Sequence, residues 1–437
     1  VGISEPALRL FLSVLLGYPI AWIYRQSFYG KQQIQQHLFF IISGLAIGYF
    51  NYGFDLVHSL FTILFTYGVL ALFEATEIIV GFLFLFNMGY LIGGYYFVGT
   101  EEYDLSWTMA QCVLTLRLIG FVFDTYDGRF PDEKLGALNR KAALRQRPGL
   151  LETLGFMYFP AAFLIGPQFP LRRYQEFVGG EYKDGPDTVI PSMKRFALGA
   201  IYLGVYQVGN MYFYDSYVLS EEFSTLALWK KLGYCGIWGR VALYKYISIW
   251  LLGEGSCILF GISYNGKKDD EPQWDGCRNI DAYIFETATQ FDHYIRSFNI
   301  NTNTWIAQYV YKRLKFLNNK YLSQIGALLF LAVWHGLHTG YYVCFFNEFI
   351  VMFFERDLIN MLKKNPKVWD FLNQRGISEL CFIIGKFYTI VFMGWCFYPM
   401  QFLKFEKYWK AYSDIYFIGF LVFIPWPILY KPILKTL

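Results

Sequence analysis

The sequence predicts an all-α fold, a polytopic transmembrane helical bundle with about eleven spans. Of the 437 residues, 55% are hydrophobic and only 16% are charged, whereas soluble domains contain about a quarter charged residues. Aromatic residues make up 21% of the chain, which suits a lipid-facing surface with belts of rings at the membrane interfaces. Apolar segments long enough to cross a bilayer recur along most of the chain.

The predicted spans are segments of about 20 mostly apolar residues. They run from Ala7 to Tyr24, His37 to Gly53, Leu56 to Phe73, Glu77 to Phe97, Leu105 to Phe123, Leu150 to Pro170, Met193 to Phe213, Gly233 to Tyr264, Tyr321 to Thr339, Tyr341 to Phe354, Ile377 to Tyr398 and Ile415 to Leu429. Prolines within the later segments, such as Pro160 and Pro425, indicate broken helices. Membranes tolerate these where protein or a water-filled cavity covers the freed backbone.

Charge and cysteine usage exclude several classes of protein. The net charge is +4 and no Lys/Arg run is interleaved with stacking aromatics, so we predict no nucleic-acid partner. The seven cysteines are odd in number and no pair has CxxC spacing, so neither a zinc site nor a disulfide framework is indicated. We therefore predict no metal site.

A polar segment interrupts the later part of the chain. NGKKDDEPQWDGCRNID, residues 265–281, is followed by residues 282–316, whose apolar spacing predicts an amphipathic helix along the membrane interface. An alternative interpretation is that this segment presents polar groups to a buried substrate. In a helix Asn299 and Asn303 would share one face, whereas the Asn/Thr run around them is also typical of a cap or turn.

His335 follows the apolar run GALLFLAVW and is expected at membrane depth. An ionisable group there is a functional hypothesis by default, and burial favours the neutral imidazole that can accept a proton. No nucleophile motif such as GxSxG accompanies it. A lone histidine with amide partners indicates a general base acting on a bound hydroxyl, and a packing role is the alternative. His338, three residues on, is expected on roughly the same helical face.

Two strings carry a family resemblance. Asn299 in FNINTNTW lies six residues before Trp305, and His335 in the apolar-flanked Trp334-His335-Gly336 lies 36 residues after Asn299. These two strings resemble the membrane-bound O-acyltransferase (MBOAT) family. PAAFLIGPQFPLRRYQEF, WDGCRNID and AVWHGLHTGYY resemble its lysophospholipid acyltransferase branch, and the likeness covers essentially the whole chain.

The resemblance implies a bundle of MBOAT type that encloses a buried reaction chamber. It implies transfer of an unsaturated, often polyunsaturated, fatty acyl group from acyl-CoA to the sn-2 hydroxyl of lysophosphatidylcholine and related lysophospholipids. By this resemblance His335 is the general base and Asn299 the second catalytic residue. Acyl-CoA is then a co-substrate and no cofactor is expected. The protein is expected as a homodimer in the endoplasmic reticulum membrane.

Further residues are candidate substrate contacts. The phosphates of CoA need cations, which Arg296, Lys312 and Arg313 can supply, although basic residues at an interface also face lipid headgroups. The remaining candidates for the walls of the reaction centre are Asn303, Trp305, Trp334 and His338.

We expect a single membrane-embedded domain over residues 1–437. Residues 1–123 are predicted to form an N-terminal helical scaffold, residues 124–354 the catalytic core with Asn299 and His335, and residues 355–437 the C-terminal helices.

Two other classes of protein are alternatives. One is another branch of the same family, which acylates sterols, diacylglycerol or a secreted peptide. The other is a transporter with His335 in a proton pathway. A transporter would need further intramembrane acids, and Asp124, Glu348 and Glu379 are expected at or near segment ends.

Overall fold

The computed structural model describes residues 4–100, 105–182 and 185–436, and this part of the chain is largely helical. As far as residue 225 the helices are α1 Glu5–Ser27, α2 Gln33–Tyr52, α3 Val57–Leu72, α4 Glu77–Val98, α5 Trp107–Asp127, α6 Ala137–Ala142, α7 Leu150–Met157, α8 Leu171–Gly179, α9 Val189–Tyr212, α10 Asp215–Val218 and α11 Glu221–Thr225. Short 3₁₀ turns lie at Gly53–Leu56 and Asp132–Lys134.

The later helices are α12 Leu228–Phe260, α13 Ala282–Glu286, α14 Phe291–Ser297, α15 Ile300–Ile306, α16 Lys320–His335, α17 Thr339–Lys364, α18 Pro366–Leu372, α19 Ile377–Phe402, α20 Phe405–Asp414, α21 Ile418–Phe423 and α22 Lys431–Thr436. A π turn at Ala307–Tyr311 and a 3₁₀ turn at Arg313–Leu317 follow α15, and a second π turn lies at Trp426–Tyr430. One small hairpin pairs β1 Lys267–Lys268 with β2 Glu271–Pro272. The predicted all-α class is confirmed.

Side-chain caps fix where several helices begin. The Asp281 carboxylate accepts a hydrogen bond from the Ile284 amide at 3.1 Å at the start of α13. In the same way, the hydroxyls of Thr76 and Ser220 each accept a hydrogen bond from the backbone amide three residues later, at the starts of α4 and α11. Such caps satisfy backbone amides that have no partner inside the first turn.

Five helical stretches in the described residues are long and apolar enough to cross a membrane. They are Glu5–Ser27, Gln33–Leu72, Glu77–Val98, Trp107–Asp127 and Ile377–Phe402. The pair Phe405–Asp414 and Ile418–Leu434, bent by 72°, adds a sixth if it counts as one broken span. The chain is therefore a multi-pass membrane protein, but the predicted count of about eleven spans is not confirmed. Several predicted spans form helices that are too short or too polar, such as α16 with 16 residues.

The predicted span Leu150–Pro170 is not a continuous helix. α7 ends at Met157, and turns occupy most of the chain that follows. Arg117, buried in α5, donates hydrogen bonds to the Phe156 carbonyl at 2.8 Å and to the Ala162 carbonyl at 3.1 Å. Non-helical backbone inside a membrane protein needs such internal partners, so this guanidinium allows the segment to leave the helix.

The chain folds into two compact units, each made of three separate stretches. The first unit comprises Val1–Ile201, Ser248–Asn279 and Ile300–Ser323. Packed aromatic rings dominate its core. The Tyr24 ring centroid lies 4.8 Å from that of Phe40, and further rings of the same cluster pack around them, some edge to face, such as Tyr174 against Phe40 at 5.8 Å.

The second unit comprises Tyr202–Ile247, Ile280–Asn299 and Gln324–Leu437. Its core contains a buried polar contact among aromatic rings, because Asn347 donates to the Tyr412 hydroxyl at 2.6 Å. The predicted division of the chain at residues 123 and 354 stays a prediction.

The placement of the intramembrane acids was partly wrong. Asp124 and Glu379 lie near the ends of α5 and α19, as expected. Glu348 lies in the interior of α17, because α17 is a single helix of 26 residues that continues well beyond the predicted segment end at Phe354.

Candidate active site

His335 is the last residue of α16 and is half-buried. The helix ends there because Gly336 has a φ of 145°, outside the range of an α-helix. Glycine is required at this position for two reasons. That φ is strained for any residue with a Cβ, and a Cβ on Gly336 would lie 2.9 Å from the Tyr341 ring.

Three aromatic rings surround the His335 imidazole within the second unit. The Trp334 ring lies edge-on at 4.6 Å between centroids, the Tyr341 ring lies nearly parallel at 5.5 Å, and the Phe345 ring lies at 5.4 Å. Tyr341 and Phe345 are one turn apart on α17, so they present adjacent rings. The rings fix the plane of the imidazole, which a general base requires because it must reach its proton in a defined geometry.

His338 does not lie on the same helical face as His335, so that prediction is wrong. α16 ends at His335, and His338 precedes the first residue of α17 with an extended backbone, φ −66° and ψ 135°. Its ring centroid lies 6.1 Å from that of Tyr341. A substrate contact from His338 stays a prediction.

Asn299 does not lie in a helix. The predicted amphipathic helix over residues 282–316 is broken into α13, α14 and α15 with irregular turns, because local caps and bridges compete with the helical period. Phe298 pairs with Ile280 in an isolated β-bridge, and Asn299 follows with a left-handed φ of 52°. Asparagine adopts this conformation more readily than most residues. Asn299 and Asn303 therefore do not share a helical face, since only Asn303 belongs to α15. The alternative, a cap or turn signal in the Asn/Thr run, agrees with the bend at Asn299 directly before α15.

Both predicted catalytic residues, Asn299 and His335, belong to the second unit. Asn303 and Trp305 belong to the first unit, where Asn303 is half-buried. The Trp305 indole N–H donates to the Leu116 carbonyl at 3.0 Å, which anchors α15 to α5. That hydrogen bond gives Trp305 a packing role. Substrate contacts from Asn303, Trp305 and Trp334 stay predictions.

The predicted phosphate-binding cations differ in their surroundings. Arg296 forms an exposed ion pair with Asp292 one turn earlier on α14. Arg313 forms a two-pronged ion pair with Asp127 in the first unit. Lys312 is exposed. A phosphate would have to replace existing ion-pair partners at Arg296 and Arg313. Phosphate binding at Lys312 therefore costs the least free energy among the three.

A buried polar network in the first unit was not predicted from the sequence. Glu254 on α12 is 2% exposed, and Arg195 on α9 approaches its carboxylate at 3.0 Å. The other carboxylate oxygen accepts the Asn279 amide at 2.7 Å. The available signal was the acid itself, since Glu254 interrupts the apolar run ISIWLLGEGSCILFG.

Apolar crossing helices and a half-buried histidine among aromatic rings define a membrane-embedded protein with a candidate base in its interior. Residues 92–394 match the family model described as MBOAT, membrane-bound O-acyltransferase family. The match covers more than half of the chain, and the protein belongs to this family.

Curated relatives are similar along nearly the whole chain. A protein named Lysophospholipid acyltransferase 5 from Drosophila melanogaster is 44% identical over 98% of this chain and 88% of its own length. The protein of the same name from Homo sapiens is 41% identical over 97% of this chain and 88% of its own length. Lysophospholipid acyltransferase from Schizosaccharomyces pombe is 30% identical over 79% of this chain and 70% of its own length.

Proposed function

We propose that this protein is a lysophospholipid acyltransferase that uses acyl-CoA as donor. The observation that carries the proposal is the similarity, over 97–98% of the chain, to proteins named for this activity. The finer proposal is that a polyunsaturated acyl group goes to the sn-2 hydroxyl of lysophosphatidylcholine and related lysophospholipids. We place the protein in the endoplasmic reticulum membrane, and the homodimer remains part of the proposal.

His335 is the proposed general base. A glycerol hydroxyl is a weak nucleophile at neutral pH, so its proton passes to an imidazole nitrogen of His335 as its oxygen attacks the thioester carbonyl. The carbon–sulfur bond then breaks, an ester bond forms, and the sulfur leaves as the CoA thiol with the proton from the imidazolium. Trp334, Tyr341 and Phe345 support this role because they hold the ring and limit the access of water.

Asn299 is the proposed second catalytic residue. The attacked carbonyl oxygen gains negative charge, which a preorganised amide N–H stabilises. Removal of one such donor costs about 10²–10³-fold in kcat. The left-handed backbone of Asn299 supports this role, because strained residues cluster at active sites where the surroundings fix them.

The test is acyl transfer in liposomes with labelled arachidonoyl-CoA and lysophosphatidylcholine. We expect wild-type transfer and its near-complete loss in His335→Gln. The matched control is His58→Gln, because His58 is a second membrane histidine that stacks on Trp107 at 3.9 Å in the first unit. Transfer retained by His335→Gln would contradict the base assignment.

The acceptor and donor are tested in the same assay. A panel of lysophospholipids with choline, ethanolamine, serine and inositol headgroups, each with saturated and polyunsaturated acyl-CoA, ranks kcat/KM for each pair. We expect lysophosphatidylcholine with a polyunsaturated donor to rank first. Activity on a sterol, diacylglycerol or peptide but on no lysophospholipid would assign the protein to another branch of the family.

A further inference from the structure

Asn299 is held by short contacts on both of its sides. Within the second unit, Ile280 and Phe298 form the β-bridge that precedes it. Within the first unit, the Ile300 amide donates to the Asn279 carbonyl at 3.0 Å, and the Asn301 amide donates to the Asn279 side-chain oxygen at 3.0 Å. Both backbone amides that follow Asn299 are therefore fixed by a single residue.

Asn279 is itself fixed by a buried carboxylate. The backbone amide of Asn279 donates to the Glu254 carboxylate at 2.7 Å. Asn279 is only 3% exposed and Glu254 only 2%. Arg195 approaches the other carboxylate oxygen at 3.0 Å and supplies the opposite charge. Hydrogen bonds to an ionised acceptor are shorter and stronger than neutral ones, so Glu254 holds the backbone at Asn279 firmly.

We propose that Glu254 and Asn279 are positioning residues that set the conformation of Asn299 for the acyl transfer. The inference rests on the proposed function, because it presupposes that Asn299 acts on the reacting carbonyl. A non-glycine residue with a left-handed φ persists only where its neighbours determine it, and Asn279 fixes the two amides next in the chain. Glu254 and Asn279 act through Asn299 and need not touch a substrate.

The position of the Asn299 side chain matters because a hydrogen-bond donor stabilises an oxyanion only over a short range. A misplacement of about 1 Å costs about 100-fold in rate. If Asn279 loses its side-chain oxygen, the Asn301 amide loses its acceptor and the first turn of α15 can shift. The Asn299 side chain then spends less time at the carbonyl, which lowers kcat and leaves substrate binding unchanged.

The test compares Asn279→Ala and Glu254→Leu with Glu254→Gln. Asn279→Ala removes the acceptor of the Asn301 amide, and Glu254→Leu removes the acceptor of the Asn279 backbone amide together with the counter-charge of Arg195. Glutamine at residue 254 keeps an acceptor at the same distance from the backbone. We expect kcat to fall about 10- to 100-fold in Asn279→Ala and Glu254→Leu. The KM for both substrates should stay unchanged. Glu254→Gln keeps an acceptor but loses the charge, so its kcat should lie between those of Glu254→Leu and the wild type.

The control is Ser192→Ala. Ser192 is fully buried and donates to the Gly255 carbonyl at 2.7 Å, directly beside Glu254. Its removal breaks a buried hydrogen bond between the same two helices, α9 and α12, but leaves the contacts of Asn279 intact. We expect its kcat to stay close to that of the wild type.

A second readout separates positioning from a structural defect. In an Asn299→Ala background, Asn279→Ala should cause no further loss of the residual rate, because the group that it positions is gone. A loss of the same size in that background would overturn the inference, as would a wild-type kcat in Asn279→Ala. A wild type that transfers no acyl group to any acceptor would overturn the proposed function instead, and the inference with it. Asn279→Ala leaves the backbone hydrogen bonds of residue 279 in place, so it covers the case in which Glu254→Leu fails to fold.

Discussion

Both terminal nitrogens of the Arg313 guanidinium donate hydrogen bonds to the Asp127 carboxylate, at 2.9 Å and 2.5 Å. Asp127 is the last residue of α5 and is only 1% exposed, while Arg313 begins the 3₁₀ turn after α15. The pair therefore ties the end of a membrane-crossing helix to the polar segment that follows Asn299 in the chain.

Removal of this carboxylate charge should destabilise the first unit. In Asp127→Asn the partly buried Arg313 loses its counter-charge, and a broken buried ion pair costs about 3 kcal/mol. We expect a clear fall in the melting temperature in detergent, followed by fluorescence-detected size exclusion. The control is Asp292→Asn, which breaks the solvent-exposed pair with Arg296 and should cost less than about 1 kcal/mol. Equal melting temperatures for the two variants would argue against a structural role for the Asp127 pair.

Gly336→Ala should reduce activity more than stability. The added Cβ meets the Tyr341 ring at 2.9 Å and must adopt a φ of 145°, so the ring stacked on His335 has to move. We expect at least a tenfold fall in kcat, because the base no longer has a fixed plane. Gly376→Ala is the matched control, since Gly376 also has a positive φ, 86°, but no neighbour near its Cβ. A similar fall in both variants would attribute the loss to backbone strain alone.

Arg117 should be required for folding and not only for activity. Its guanidinium donates to the Phe156 carbonyl at the end of α7 and to the Ala162 carbonyl in the segment that follows, and Arg117→Met removes both hydrogen bonds. A hydrogen bond that involves a charged group contributes about 1.5–3 kcal/mol to stability. We expect little folded Arg117→Met protein and partial recovery in Arg117→Lys, which keeps a charged donor. Wild-type yield and melting temperature in Arg117→Met would contradict this role.

His293 should make the protein less stable in mild acid. Burial lowers the pKa of His293, nearby cations such as Arg296 act in the same direction, and the neutral imidazole accepts the Thr289 amide at 3.2 Å. The unfolded chain has the higher pKa, about 6.5, so it gains a proton first as the pH falls. Stability is therefore complete above this pH and is lost below it. We expect the melting temperature to fall between about pH 7 and pH 5, and less steeply in His293→Gln. Identical pH profiles would contradict the assignment.

Helices that depend on long apolar runs could be predicted from the sequence. The apolar run before His335 predicts a helix, and α16 is that helix. The end of α16 was not predictable, because it depends on the conformation of Gly336 beside a ring on the next helix. The apolar spacing around Asn299 likewise suggested a helix. Its left-handed conformation accompanies hydrogen bonds that the next two backbone amides donate to Asn279, 20 residues earlier, and periodicity does not report such contacts.

The contacts of Glu254 likewise depend on the fold. An acid in an apolar run indicates a special role, but the residue type alone does not say which groups it holds. Its partners, Arg195 and the Asn279 amide, come from distant parts of the chain. Only the folded chain brings these three groups together.

The alternation of the two units along the chain constrains the order in which a ribosome can complete them. The last stretch of the first unit, Ile300–Ser323, emerges after the second unit has already contributed two of its three stretches. The second unit needs the chain as far as its C-terminal stretch, which begins at Gln324. Neither unit can complete its packing while only its early segments are inserted. Helices of the nascent chain must therefore remain in the membrane without all of their packing partners until late in synthesis. Folding of both units can therefore be completed only after Asn299 has been translated.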